Sequence, residues 1–179
     1  IFNKYSKMKK SIAIFGSTGS IGKNALQVIS QHLNSHQVEI LVAGNDVKTL
    51  IKQAQIFRPK YAAINNANLL SELQDGLADL PEIEILAGSR AINELAKIKC
   101  DFFLSAIVGI AALIPTFNAI NAGSNIGMAN KECLVAAGDI MLDAAKRSGS
   151  SILPIDSEHN AIFQIFEKHN QFAISKITL

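Results

Sequence analysis

The sequence predicts a doubly wound α/β domain on a mostly parallel sheet, and three observations carry that reading. Short apolar runs alternate with stretches whose apolar residues recur at helical spacing, the pattern of successive βαβ units. A glycine-rich segment at residues 16–22 lies directly between the first such run and the first helical stretch. With 49% hydrophobic and 18% charged residues and only 4 prolines, the chain can bury a core, which excludes disordered, collagen-like and low-complexity classes.

Residues 12–15 are an apolar run stopped by Gly16 and read as a buried strand. Ile21, Ala25, Val28 and Ile29 then recur at helical spacing. Residues 39–43 form a second strand ended by Gly44, and Val47, Leu50, Ile51 and Ala54 mark a second helix running up to Pro59. Residues 61–64 are a third strand, followed by a polar helix around 69–77, a strand at 83–87 and a helix near 92–96. The run 102–114 is nearly apolar but shorter than the roughly 20 residues a membrane span needs, so it reads as a buried core segment that begins with a strand. Residues 113–122 are helical, with Pro115 tolerable in the first turn and Gly123 fitting the position after the C-cap. A strand at 125–128, a helix at 132–146 and a strand at 151–155 complete the pattern, and the SGSS turn at 148–151 marks a boundary near residue 150.

A net charge of +2, with lysines and arginines spread along the chain, leaves no basic footprint for nucleic acid. Cys100 and Cys133 form no CxxC pair, and residues 1–10 lack the apolar stretch of a secretory signal. A cytoplasmic setting is expected. The chain starts with Ile, so Met8 is the expected natural start and the 179 residues are not expected to be one complete translation product.

The loop Gly16-Ser-Thr-Gly19-Ser-Ile-Gly22 carries the first functional signal. Glycines there serve a tight turn, close backbone approach to a phosphate, and helix–strand contact, while the helix N-terminus offers free N–H groups to a pyrophosphate. The spacing is GxxGxxG, and no Gly-Lys-Ser/Thr follows, so a dinucleotide site of Rossmann type is expected rather than a Walker loop. The second strand ends at Ala43-Gly44 without the carboxylate that usually binds a ribose 2′-OH, which leans towards NADP. Asp46 follows, either as the N-cap of the next helix or as an acid near enough to repel a 2′-phosphate.

Two polar clusters lie downstream. In Ala129-Asn130-Lys131-Glu132, Glu132 suits a helix N-terminus, whereas Lys131 opposes the dipole and points to a phosphate or an anionic substrate. In Asp156-Ser157-Glu158-His159, an extended backbone would put both carboxylates on one side, able to share a hard cation, with His159 on the other. A solvated loop capping a helix near Asn160 is the alternative. Two carboxylates are also an incomplete cage. His32, His36 and His169 read as surface residues, and Cys133 as a buried small residue rather than a nucleophile.

Taken together, GSTGSIG (16–22), LVAG (41–44), AIVG (106–109), ANKE (129–132) and LPIDSEHNAIFQ (153–164) resemble the 1-deoxy-D-xylulose 5-phosphate reductoisomerase family in order and spacing. The resemblance implies an NADPH-dependent homodimeric enzyme that uses Mg²⁺, Mn²⁺ or Co²⁺ to rearrange and reduce a phosphorylated sugar to 2-C-methyl-D-erythritol 4-phosphate, in isoprenoid biosynthesis. It places Thr18, Gly19, Ser20 and Ile21 at the pyrophosphate and Gly44, Asn45 and Asp46 at the adenosine ribose. Asn130 and Glu132 fall near the cofactor, Lys131, Ser157 and Glu158 at the substrate, and Asp156 and Glu158 on the metal, with Lys131 and Glu158 catalytic. Residues 1–150 would then be the cofactor domain and 151–179 the start of an α+β catalytic domain, truncated and inactive alone. The family often has a basic residue and then Asn where this chain has Asn45-Asp46, which weakens the 2′-phosphate site on paper. The competing readings are another NADP-linked oxidoreductase with a catalytic cysteine, such as a semialdehyde dehydrogenase, and a non-enzymatic dinucleotide-binding module.

Overall fold

A computed structural model describes residues 8–166, 174 and 176. Seven strands form one sheet in the order β4-β3-β2-β1-β5-β6-β7. They are β1 (Lys10–Phe15), β2 (His36–Ala43), β3 (Tyr61–Ile64), β4 (Glu84–Ala87), β5 (Phe102–Ser105), β6 (Asn125–Met128) and β7 (Ile152–Pro154), and every pairing is parallel. The helices α1 (Ser20–Ser30), α2 (Val47–Phe57), α3 (Leu70–Gly76), α4 (Ser89–Leu95), α5 (Leu113–Asn121), α6 (Glu132–Ser148) and α7 (Ser157–Ile165) connect them or follow the last strand.

The two faces of the sheet bury separate cores, because side chains alternate along each strand. Ile12 and Ile14 pack with Leu26 and Ile29 of α1 and Leu50 of α2. Ala13 and Phe15 point the other way, into a cluster with Phe103, Ile120 of α5 and Met141 of α6. The first half of the chain is thus wound on one face and the second half on the other. Strand order reverses between β1 and β5, which opens a crevice at the carboxyl ends of those strands.

Three expectations need correction. The apolar run 102–114 is not one buried segment: the strand stops at Ser105, and Val108, Ile110 and Ile114 are 89%, 58% and 53% exposed. Once Ala106 has bonded Phe15 O, the chain leaves the sheet for a 3₁₀ turn opened by Gly109 at φ +72, so its side chains line the crevice. On α1 it is Leu26, not Val28, that is buried beside Ile29. Residues 157–165 are helix, so Asp156 and Glu158 do not lie on an extended segment. β7, beyond the expected boundary at 150, adds to the same sheet beside β6. No helix among the described residues is long and apolar enough to cross a membrane.

Candidate functional site

Backbone sterics build the glycine loop. Gly16 has φ +97, and a Cβ there would stand 2.3 Å from Ala106 O in the loop after β5. A Cβ on Gly22 would meet Gly16 O at 2.4 Å, so α1 can start tight against the turn only with glycine. Gly19, by contrast, has an ordinary φ of −75 and serves as the N-cap of α1. No side chain caps that helix and its first turn carries no acid, so its free N–H groups face the crevice with their partial positive charge unmet. The turn is anchored by Gly16 and Ser17 N–H, both donating to Val42 O at 2.9 Å, and by the buried Gln53, whose Nε2 donates to Ser17 O at 2.8 Å.

Two adjoining clefts open along this edge. One of about 490 Å³ runs between the loops after β1, β2 and β5, past Gly16, Gly19, Gly44 and the exposed apolar Val108 and Ile110, with Asn65, Ser89 and Asn93 as polar lining. The other, about 250 Å³, brings Gly19, Ser20 and Ile21 together with residues 106–109, with Asn130, Lys131 and Glu132, and with Asp156. Four strings far apart in sequence therefore meet at one place. Thr18, Asn45, Asp46, Ser157 and Glu158 line neither cleft directly. A larger groove, about 620 Å³, lies at the opposite edge beside Lys10, His32 and Asp101, and none of the predicted site residues lines it.

Around the smaller cleft, Asn130, Lys131 and Asp156 have identifiable polar neighbours. Asn130 is buried and its Nδ2 donates to Ile107 O at 2.7 Å, tying the loop after β5 to the start of α6, while its Oδ1 is buried without a hydrogen-bond partner. Lys131 is the N-cap residue of α6, and its Nζ lies 3.9 Å from Asp156 Oδ2. Asp156, only 15% exposed, also faces His159, with Nδ1 at 3.5 Å from Oδ1. The expectation that His159 points away from the carboxylates is thus wrong: a helical turn brings residues three apart onto one side. The Asp156 carboxyl is held below the usual carboxylate range, first by a side-chain hydrogen bond with Glu158, then by the His159 backbone N–H and the charges of Lys131 and His159, against desolvation.

Asp156 and Glu158 are hard oxygen donors, and Asp156 Oδ1 is a buried acceptor without a hydrogen bond, which fits part of a magnesium-type shell. Among the described residues no group of three or more His, Cys, Asp and Glu side chains is placed to hold a metal ion. Asp46 resolves as an N-cap, its Oδ1 accepting from Thr49 N–H at 3.1 Å. Both cysteines are buried, and desolvation pushes the Cys133 thiol up and that of Cys100 to about 11, so neither is an activated nucleophile.

Sequence reasoning missed Gln53, Asn65, Ser89 and Asn93. A signal existed for Gln53, because a polar residue at that position falls on the buried helical stripe of Val47, Leu50 and Ala54. The other three come from separate loops and carry no local pattern.

Comparison with known proteins agrees with this geometry. A family profile for 1-deoxy-D-xylulose 5-phosphate reductoisomerase matches residues 12–138. The Actinobacillus pleuropneumoniae serotype 5b reductoisomerase is 45% identical over 157 residues, 87% of this chain and 40% of that protein. That of Thermodesulfovibrio yellowstonii is 46% identical over 171 residues, 95% of this chain and 44% of that protein. The Zymomonas mobilis reductoisomerase, solved in complex with NADPH, superposes with a TM-score of 0.86 at 41% identity, over 90% of this chain and 43% of its own. A reductoisomerase structure with NADPH, fosmidomycin and magnesium gives a TM-score of 0.84 at 39% identity, over 90% of this chain and 40% of that one. The chain thus spans about two fifths of the length of the relatives it matches. With the profile covering most of the chain and the same strings lining the crevice, this chain belongs to the 1-deoxy-D-xylulose 5-phosphate reductoisomerase family.

Proposed function

We propose that this chain is the nucleotide-binding part, with the first catalytic residues, of an NADPH- and divalent-metal-dependent reductoisomerase that converts 1-deoxy-D-xylulose 5-phosphate to 2-C-methyl-D-erythritol 4-phosphate. The observation that carries the proposal is the meeting of the glycine loop, residues 106–109, Asn130–Glu132 and Asp156 around one cleft. Relatives of the same fold are solved with NADPH, and one also with fosmidomycin and magnesium. Residues from about 151 on begin the catalytic portion. The whole enzyme is a cytoplasmic homodimer.

In this reading the α1 N-terminus and its glycines receive the pyrophosphate, with Thr18, Gly19, Ser20 and Ile21 around it. Gly44, Asn45 and Asp46 stand at the ribose. The apolar Val108 and Ile110 cover the nicotinamide end and exclude water from it. Asn130 fixes the loop after β5 relative to α6, which sets the distance between cofactor and substrate, and Glu132 closes the rim. Lys131 offers its ammonium to the anionic substrate, and Ser157 and Glu158 orient it. Asp156 and Glu158 would hold Mg²⁺, Mn²⁺ or Co²⁺, whose chemistry when bound is to polarise the substrate's oxygens. The buried cysteines with raised thiol pKa values speak against the cysteine-dependent dehydrogenase alternative.

The direct test is to titrate the 179-residue chain with NADPH and then assay it with substrate and Mg²⁺. Binding without turnover is expected, because the two carboxylates are only part of a metal shell. Product formed by this chain alone, free of host enzyme, contradicts the assignment of roles, and absence of NADPH binding contradicts the nucleotide site.

A further inference from the structure

The loop from β2 to α2 carries no cation, although it stands where a 2′-phosphate must be received. Gly44, Asn45 and Asp46 are exposed there, and the one charge among them is an acid. Asp46 is committed to capping α2 through Thr49 N–H at 3.1 Å. Beside it Gly44 faces open space, with nothing within 4 Å of where a Cβ would stand. A phosphate entering this space needs positive charge from outside the loop.

Two lysines lie on the helices that adjoin the space. Lys23 lies at the start of α1, its backbone N–H bonded to Gly19 O at 2.9 Å, and Lys52 lies on α2; both are exposed. Helices α1 and α2 cover the same face of the sheet, with Leu26, Ile29 and Leu50 in one cluster, and the loop after β1 is tied to the end of β2 through Val42 O. A helical side chain leans towards its own N-terminus, which for Lys23 is the Gly19 end of α1. The charges of both lysines also reach Asp46, whose carboxyl sits below its usual range chiefly through hydrogen bonds to Thr49, with Lys23 and Lys52 adding to them.

We propose that Lys23, assisted by Lys52, is the residue that selects the 2′-phosphorylated cofactor in this chain. The inference rests on the dinucleotide reading above and adds the source of its specificity. A lysine suits the task as a point charge on a flexible stem, able to follow a phosphate that the loop itself does not grip.

The test is calorimetric titration of the 179-residue chain and of Lys23→Gln, Lys23→Arg and Lys146→Gln with NADPH and with NADH, circular dichroism confirming that each folds. Lys23→Gln is expected to weaken NADPH about tenfold and NADH by no more than about twofold, as loss of one charge-assisted contact predicts. Lys23→Arg restores the preference, and Lys146→Gln, which removes the same charge from the far end of α6, leaves it intact. Equal loss for both nucleotides, or no loss, overturns the inference. If the unaltered chain prefers neither nucleotide, the dinucleotide site stands and the selectivity assignment falls. If it binds neither, the dinucleotide reading falls and takes the inference with it.

Discussion

The two halves of the site are held by different means. At the glycine loop the backbone does the work: Gly16 and Gly22 sit where any Cβ would strike backbone atoms at 2.3 and 2.4 Å, and two N–H groups share Val42 O. At the Lys131–Asp156–His159 cluster the side chains do it, through contacts of 3.9 and 3.5 Å between groups that are partly exposed. The first half is shaped by what the chain excludes, the second by charges that face one another. Changes to shape should therefore unfold the first half, whereas changes to charge should disable the second without disturbing the fold.

The largest effect expected follows from breaking the first half. Gly16→Ala combines a positive φ with a backbone clash and should cost about 3 kcal/mol or more in a denaturant melt, with loss of NADPH binding. Gly19→Ala, at an ordinary φ with its nearest neighbour at 3.4 Å, should cost about 1 kcal/mol or less. Equal costs would mean that the loop is not sterically defined.

The second prediction addresses the charged half. In an enzyme of the family's full length bearing this chain, Glu158→Gln keeps the shape and removes the charge. Activity in a metal titration should fall at least about a hundredfold, the order seen when a charge-stabilising group is lost, while NADPH affinity barely moves. Near-normal activity at unchanged metal demand would remove the carboxylate pair from the mechanism.

The difference between the halves also explains what could be read beforehand. Strand and helix order, the parallel sheet and the glycine loop are local patterns, and all are written in runs of adjacent residues. The charged cluster is different. Asp156 and Glu158 stood out as hard ligands, but their partners depend on α7 starting at Ser157, and an extended reading turned His159 the wrong way. The contact between Lys131 and Asp156 joins residues that follow different strands, so only the sheet order brings them together. Val108 and Ile110 misled for a related reason, since apolar character alone does not separate a core from the lining of an open cleft.

A smaller effect concerns acid stability at both ends of the sheet. Asp101 accepts Ser11 N–H at 2.8 Å and the Ser11 hydroxyl at 3.0 Å, linking β1 to the start of β5, and its carboxyl is held below the usual range by those bonds. Asp46 is held down likewise by Thr49. Both folded values lie below the unfolded ones, so their stabilisation is full above the ordinary carboxylate range and is lost as pH falls through the folded values. Denaturant melts between neutral pH and about pH 3 should thus show a shallower acid loss for Asp46→Asn and Asp101→Asn than for the unaltered chain. Identical slopes would show that these carboxylates do not couple to folding.

The central claim is that the nucleotide enters the crevice at the carboxyl edge of the sheet, not the larger groove at the opposite edge. Amide hydrogen exchange of the 179-residue chain with and without NADPH tests it most directly. Added protection is expected at residues 16–22 and 106–109, with none around Lys10, His32 and His36. Protection confined to the groove beside Lys10 and His32 would contradict it.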